Sequence, residues 1–305
     1  MKQRSAAIKT WRVIYPVLLY LGLQFIMTMV GMVMYMMPRI NELLTLDSPD
    51  KMNRFITEFQ KELLAGPFLL EITGLTALVG IPLFILFRFL DVKAEPYLTE
   101  KPGLHRFGVR PHWWLIVMVT SFLVAGGIEN LIFLTGLQKI FTGYDEVAKV
   151  LFNTAPLWEQ LLIVGLFGPI LEELLMRGLV YKRLRSITGI GWSAVISSAI
   201  FGVIHGNVVQ GVFAFSFGMY MAHLYEEQGT ILAPILSHIF NNVLATVVTY
   251  LGWDLNFGIA TDQTFLLILV TILKLGLAAG LVILMDSMVR RVKLKEKNKS
   301  RNQNE

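Results

Sequence analysis

From Val13 to Met37 the chain carries no charged side chain. A run of that length crosses a bilayer, since about 20 helical residues span a ~30 Å hydrocarbon core. Comparable runs recur at about 66–89, 113–137, 157–181, 190–205, from Gly206–Asn207 to Tyr225, at 231–251 and at 265–289. Lipid cannot satisfy an exposed backbone N–H or C=O, so such runs are helical. The expected fold is all-α: a polytopic integral membrane helix bundle of about eight transmembrane helices. Composition agrees. The 305 residues are 54% hydrophobic and 16% charged, against about 25% charged in a soluble domain. The first run is too long for the core of a cleavable signal. With no cysteine, disulfides, thiolate metal sites and a cysteine nucleophile are excluded together.

The connections orient the bundle. Lys2, Arg4, Lys9 and Arg12 precede the first span, and residues 90–112 form a basic loop with Lys93, Lys101, Arg106 and Arg110. Lys182, Arg183 and Arg185 close the fourth span, and the tail holds Arg290, Arg291, Lys293, Lys295, Lys297, Lys299 and Arg301. All of these fall on one side of an eight-span chain. The loops at 138–156 and 252–264 fall on the other, and the second has no Lys or Arg. Positive loops stay inside, so both termini are expected in the cytoplasm. Residues 39–65 mix charges with apolar positions and read as an amphipathic surface helix. The Trp113–Trp114 pair reads as an interface anchor. Four units follow: 1–112, with two spans, the surface helix and the basic loop; 113–255, the membrane core; 256–289, the last span; and 290–305, a basic tail. The tail reads as solvated rather than lipid-bound.

The stretch Gly168 to Arg185 breaks the apolar pattern with Glu172, Glu173 and Arg177. Charges at that depth cost roughly 2.5–3.5 kcal/mol each on insertion scales, so they need partners or a function. Glu173 and Arg177 are four apart and share a helix face, so they can pair. Glu172 points about 100° away from Glu173. It is left without a partner in its own helix.

Further polar groups lie inside spans. Phe201 and His205 are four apart, as are His238 and Asn242, while Asn241 points elsewhere. At ~1.5 Å per residue, Glu172 lies about 14 Å from the cytoplasmic end of its span, His238 about 11 Å and His205 about 22 Å. A carboxylate in apolar surroundings suits general acid/base work. A histidine beside it can orient a water or carry a proton. An imidazole and an amide on one face can donate to a developing oxyanion, worth about 3–4 kcal/mol per good donor. These parts suffice to hydrolyse an amide without a covalent intermediate. A glutamate with two histidines would also suit zinc, with Glu172, His205 and His238 as ligands. The pairing of His238 with Asn242 favours the metal-free version, which needs no cofactor.

In order, Glu172-Glu173-x-x-x-Arg177, Phe201-x-x-x-His205 and His238-x-x-x-Asn242 resemble the three motifs of the CPBP family. This family comprises the CAAX prenyl endopeptidases of the Ras-converting type and their bacterial relatives, also called the Abi family. The resemblance covers about residues 115–255. It implies an intramembrane glutamic endopeptidase with its cavity open to the cytoplasm. It further implies that Glu172 activates water with help from His205, and that His238 and Asn242 form the oxyanion hole. Arg177 would hold Glu173 and the helix, and Phe201 would pack beside them. The expected substrate is a membrane-associated protein or peptide, the expected setting a bacterial cell membrane, and no nucleic acid is expected as a partner.

Other readings compete. The same scaffold could serve as a non-catalytic immunity or binding protein. Glu71, Glu129, Asn130 and Lys274 also lie in apolar runs and could line a transport path, but more often such groups pair across helices or snorkel. No internal repeat relates the halves, as many carriers require. Met27, Met29, Met32, Met34, Met36 and Met37 read as packing or lipid-facing rather than as a copper stripe. His223 reads as an interfacial histidine near Glu226 and Glu227.

Overall fold

The apolar runs fold into a helical membrane bundle, seen in a computed structural model that describes residues 6–94, 111–141, 155–253 and 263–302. Most of the 90–112, 138–156 and 252–264 loops, and the extreme termini, lie outside the described residues. Helix α1 (Ala6–Met36) passes through a short 3-10 turn into α2 (Ile40–Leu44). Then come α3 (Pro49–Ala65), α4 (Phe68–Ala94), α5 (Pro111–Leu134) and α6 (Leu137–Ile140). The fourth apolar run is one continuous rod: α7 (Leu157–Gln160), a π-helical segment Leu161–Phe167, α8 (Gly168–Leu175), a second π-helical segment Met176–Tyr181, and α9 (Lys182–Leu184). It is followed by α10 (Ile190–Ile204), α11 (Val208–Gln228), α12 (Leu232–Leu251) and α13 (Thr264–Asn302). Among the described residues, five helices are long and apolar enough to cross a membrane: Ala7–Leu44, Phe68–Lys93, Trp113–Leu134, Leu232–Leu251 and Thr264–Arg291.

Local sequence explains the boundaries. Ser48 caps α3, its hydroxyl accepting from the Lys51 amide at 3.4 Å, and Pro49 follows where a missing N–H costs nothing. Asn207 caps α11, accepting from the amides of Val209 and Gln210 at 2.9 and 3.2 Å. Helix α13 runs past the expected span end at 289 to Asn302, because the Lys-, Glu- and Arg-rich continuation favours helix in water as well.

Two apolar cores flank the rod. One joins Leu171, Leu175, Met176 and Leu179 of the rod to Tyr20 of α1 and Phe84 of α4. The other gathers Trp113 and Val117 of α5, Phe217 and Met221 of α11, and Met285 of α13. Trp113 is 2% exposed, so it is a core residue rather than the expected interface anchor; tertiary packing overrides the aromatic signature. Met29, Met34 and Met37 are exposed on the outside of the bundle, as a lipid-facing reading requires. The tightest contact is between α10 and α11. A Cβ added at Gly202 would stand 2.7 Å from the Gly211 carbonyl oxygen, so the two backbones touch where only glycine fits.

Ion pairs tie several helix ends to one side. Asp91, near the end of α4, takes Arg12 of α1 at 2.6 Å and Arg183 of α9 at 2.7 Å. Arg183 also donates to the Arg12 carbonyl and, at 2.8 Å, to the Tyr15 hydroxyl. Arg185 pairs with Glu226 near the end of α11 at 2.9 Å, and this hydrogen-bonded carboxylate raises the guanidinium above its ordinary pKa. His223 is not merely interfacial: its Nε2 lies 3.2 Å from Asp286 Oδ1 and joins α11 to α13. The beginning of α1 and the ends of α4, the rod, α11 and α13 therefore share a side, and it is the side rich in Lys and Arg. On the opposite side Arg39 engages Glu42, Glu58 and Glu62 at 2.8–3.5 Å, fixing α3 to the end of α1. Within the membrane Tyr35 donates to Glu71 at 2.9 Å, and Lys274 stands against Gly126 on α5.

Candidate active site

The three sequence motifs converge where the rod meets α10, α11 and α12. Glu172 and Glu173 lie on α8, the regular α-helical piece between the two π segments. There the ~100° step per residue holds, and the two carboxylates part company as expected. Glu173 is fully buried and accepts from Arg177 Nη1 at 2.9 Å. Arg177 Nη2 donates to the Gly218 carbonyl at 2.8 Å, and its guanidinium carbon stands 5.2 Å from the centre of the Phe201 ring. One arginine thus locks the rod to α11 and α10. Wide π turns often mark functional sites in helices, and here they bracket the acidic pair.

Glu172 faces a cavity of about 530 Å³, within the usual range for ligand sites. His205, His238 and Asn242 line the same cavity, together with Phe201. His238 makes the closest approach. Its Nδ1 lies 3.0 Å from Glu173 Oε1, and its Nε2 lies 3.7 Å from Glu172 Oε2. The ring is held edge-on against Phe201 and Phe217, with centroids 6.0 and 5.8 Å away. Glu172 keeps 22% of its side chain accessible, against none for Glu173. The two carboxylates are placed differently: Glu173 is buried in its pair with Arg177, and Glu172 faces the cavity.

His205 sits at the end of α10. Its Nδ1 is 2.6 Å from the Phe201 carbonyl oxygen. A carbonyl only accepts, so Nδ1 carries the proton and a neutral ring has its lone pair on Nε2. Such a ring can take up a proton. Asn242 donates one amide hydrogen to the Val164 carbonyl at 3.0 Å, which leaves a second donor on the same nitrogen. That acceptor lies in the first π segment. Asn241 points away, as expected, and donates to Ser121 Oγ at 2.6 Å and to the Ser237 carbonyl at 2.9 Å. Among the described residues no three His, Cys, Asp or Glu side chains are gathered closely enough to ligate one metal ion.

Part of the cavity wall has no counterpart among the sequence motifs. Helix α1 supplies Tyr20, Gln24 and Thr28, α4 supplies Thr73 and Thr76, and α11 supplies Gln210. Gln24 donates to the Tyr20 hydroxyl at 2.9 Å. Thr28 and Thr73 bond the carbonyls four residues back, at 2.8 Å each. Thr76 does not: its hydroxyl is buried with no partner among the described residues. A helical pattern places these residues on spans but cannot say which face meets the rod. No signal in the sequence marks them.

Residues 154–244 match the model of the type II CAAX prenyl endopeptidase Rce1-like family. The chain is also 27% identical over 184 residues to "Putative membrane peptidase YdiL" of Bacillus subtilis (strain 168), an alignment covering 59% of this chain and 73% of that protein. No solved structure matches. The matched segment begins just before the rod and ends just after Asn242, so it holds every motif residue of the cavity. It supports a membrane protease of the Rce1-like type. Over the segment that carries its three motifs the chain is similar to the CPBP family.

Proposed function

We propose that the protein is an intramembrane glutamic endopeptidase that hydrolyses a peptide bond of a membrane-associated protein or peptide. The observation that carries this is the pairing of an accessible carboxylate, Glu172, with His238 Nε2 at 3.7 Å in a polar-lined cavity inside an apolar bundle. Glu172 takes a proton from a water as the water oxygen attacks the scissile carbonyl. His205, with Nε2 able to accept, assists. The remaining N–H of Asn242 and an N–H on His238 Nε2 donate to the oxyanion. In this role His238 donates from both ring nitrogens, Nδ1–H to Glu173 and Nε2–H to the oxyanion. The proton held by Glu172 then passes to the leaving amine as the C–N bond breaks. No cofactor is required. The Lys/Arg bias supports about eight spans with both termini in the cytoplasm, and the compact chain supports a bacterial cell membrane.

The test is a cleavage assay. Purified protein and its Glu172→Ala variant are each incubated with membrane extract from the native host, and peptide termini are read by mass spectrometry. New termini made by the parent and absent with the variant are expected, and they name the substrate. Identical termini from both would overturn the peptidase reading and leave a binding or immunity role on the same scaffold.

A further inference from the structure

The cavity occupies one end of the bundle, and that end is not the Lys/Arg-rich one. Its lining comes from Gln24 and Thr28 in the later half of α1, and from Thr73 and Thr76 in the early half of α4. The rod contributes Val164, Gly168 and Glu172 but nothing beyond Glu172. The last turn of α10 and the first turns of α11 complete it, while α12 crosses it near its middle at His238 and Asn242. Apart from His238, in the first half of α12, these portions lie away from the Arg12–Asp91–Arg183 and Arg185–Glu226 clusters. Towards those clusters the rod is sealed: Leu175, Met176, Leu179, Val180 and Tyr181 are fully buried, and the Glu173–Arg177 pair plugs the level just below Glu172.

The lining also changes character with depth. Beyond Glu172 it holds Gln24, Thr28, Thr73, Thr76 and Gln210. Gln24, Thr28 and Thr73 have hydrogen-bond partners in the protein, whereas a buried polar group without one calls for water or a polar ligand. The Thr76 hydroxyl, buried and without a partner among the described residues, requires one there. Phe25, 67% exposed, stands at the edge of the cavity.

We infer that Glu172 is reached from the membrane face opposite the Lys/Arg-rich one, and not from the cytoplasm as the family resemblance implies. By the charge rule that face is extracytoplasmic. The substrate of this site is then a polypeptide segment presented at the extracytoplasmic face, not a cytoplasmic tail. The substrate class rests on the peptidase reading; the direction of access rests on the cavity and the charges alone.

The chain contains no cysteine, so single cysteines can be placed without altering the rest. Thr28→Cys and Thr73→Cys report on the cavity wall, Asp47→Cys marks the side of α3, and Asn298→Cys marks the tail. Each is treated with a sulfonated, membrane-impermeant maleimide in sealed right-side-out and inside-out vesicles. Labelling in detergent-denatured samples shows that every cysteine is reactive. The expected result is labelling of the cavity cysteines in right-side-out vesicles together with Asp47→Cys, and of Asn298→Cys only in inside-out vesicles. Cavity labelling from the tail side, labelling from neither side, or labelling of both markers from one side would each overturn the inference. Two wall positions guard against one variant failing to insert. Because the readout is not cleavage, an inactive Glu172 chemistry would leave this pattern intact, and an inverted pattern would leave the cleavage assay standing.

Discussion

His238 stands between two carboxylates, with Nδ1 3.0 Å from Glu173 and Nε2 3.7 Å from Glu172. It couples the structural acid of the rod to the accessible one. A His238→Ala variant removes the proposed oxyanion donor and the ring beside Glu172. The expected loss is about 10²–10³ in kcat, with the protein still inserted. Retention of full turnover in a single-turnover assay would remove His238 from the chemistry.

The two neighbouring glutamates should fail in different ways. Glu172→Gln abolishes cleavage and leaves thermal stability in detergent close to that of the parent. Glu173→Gln leaves Arg177 buried without its counter-charge, and losing one partner of a buried pair costs about 3–5 kcal/mol. Its melting temperature should fall clearly. Equal melting temperatures for the two variants would contradict the assignment of Glu173 as the structural partner.

Gly202 and Gly211 let α10 and α11 meet backbone to backbone. Gly202→Ala places a methyl 2.7 Å from a carbonyl oxygen that cannot move aside. Overpacking of this kind costs about 1–3 kcal/mol, and it also displaces His205 at the end of α10. Reduced thermal stability together with reduced turnover is expected, and Gly202→Leu should be worse. Circular dichroism melts and the cleavage assay read the two effects separately.

In the proposed mechanism the protons move through Glu172 and His205 without a metal. Cleavage should persist after exhaustive treatment with phenanthroline or EDTA. Loss that zinc restores stoichiometrically would instead identify Glu172, His205 and His238 as ligands that close up around the ion.

The acidic motif was readable because helix geometry alone separates its members. Four-residue spacing pairs Glu173 with Arg177 and strands Glu172, and the structure has both. The same rule put His238 and Asn242 on one face and turned Asn241 away. It could not say that His238 meets Glu173 as well as Glu172, because that contact joins α8 to α12 across 65 residues of chain. Tyr20, Gln24 and Thr76 were invisible for the same reason: packing of α1 and α4 against the rod leaves no local period. Trp113 was misread because an aromatic at the start of an apolar run looks alike whether it meets headgroups or a core. The direction of the cavity depends on which half of each helix is plugged, and side-chain size along a single span does not reveal that.

The rod is wound at two pitches, and its wide segments Leu161–Phe167 and Met176–Tyr181 hold a regular α-helical insert between them. A π turn takes up about one residue more than an α turn. Deleting a single residue from the α-helical stretch between the first wide segment and Glu172, with both wide segments kept, removes one α step of winding. Everything upstream would then be turned by roughly 100° relative to the acidic pair, carrying the Val164 carbonyl away from Asn242. The count of residues between Trp158 and Glu172 is therefore as much a part of the site as the identity of any one of them, and a chain one residue shorter there could keep every motif letter and still lose the machine.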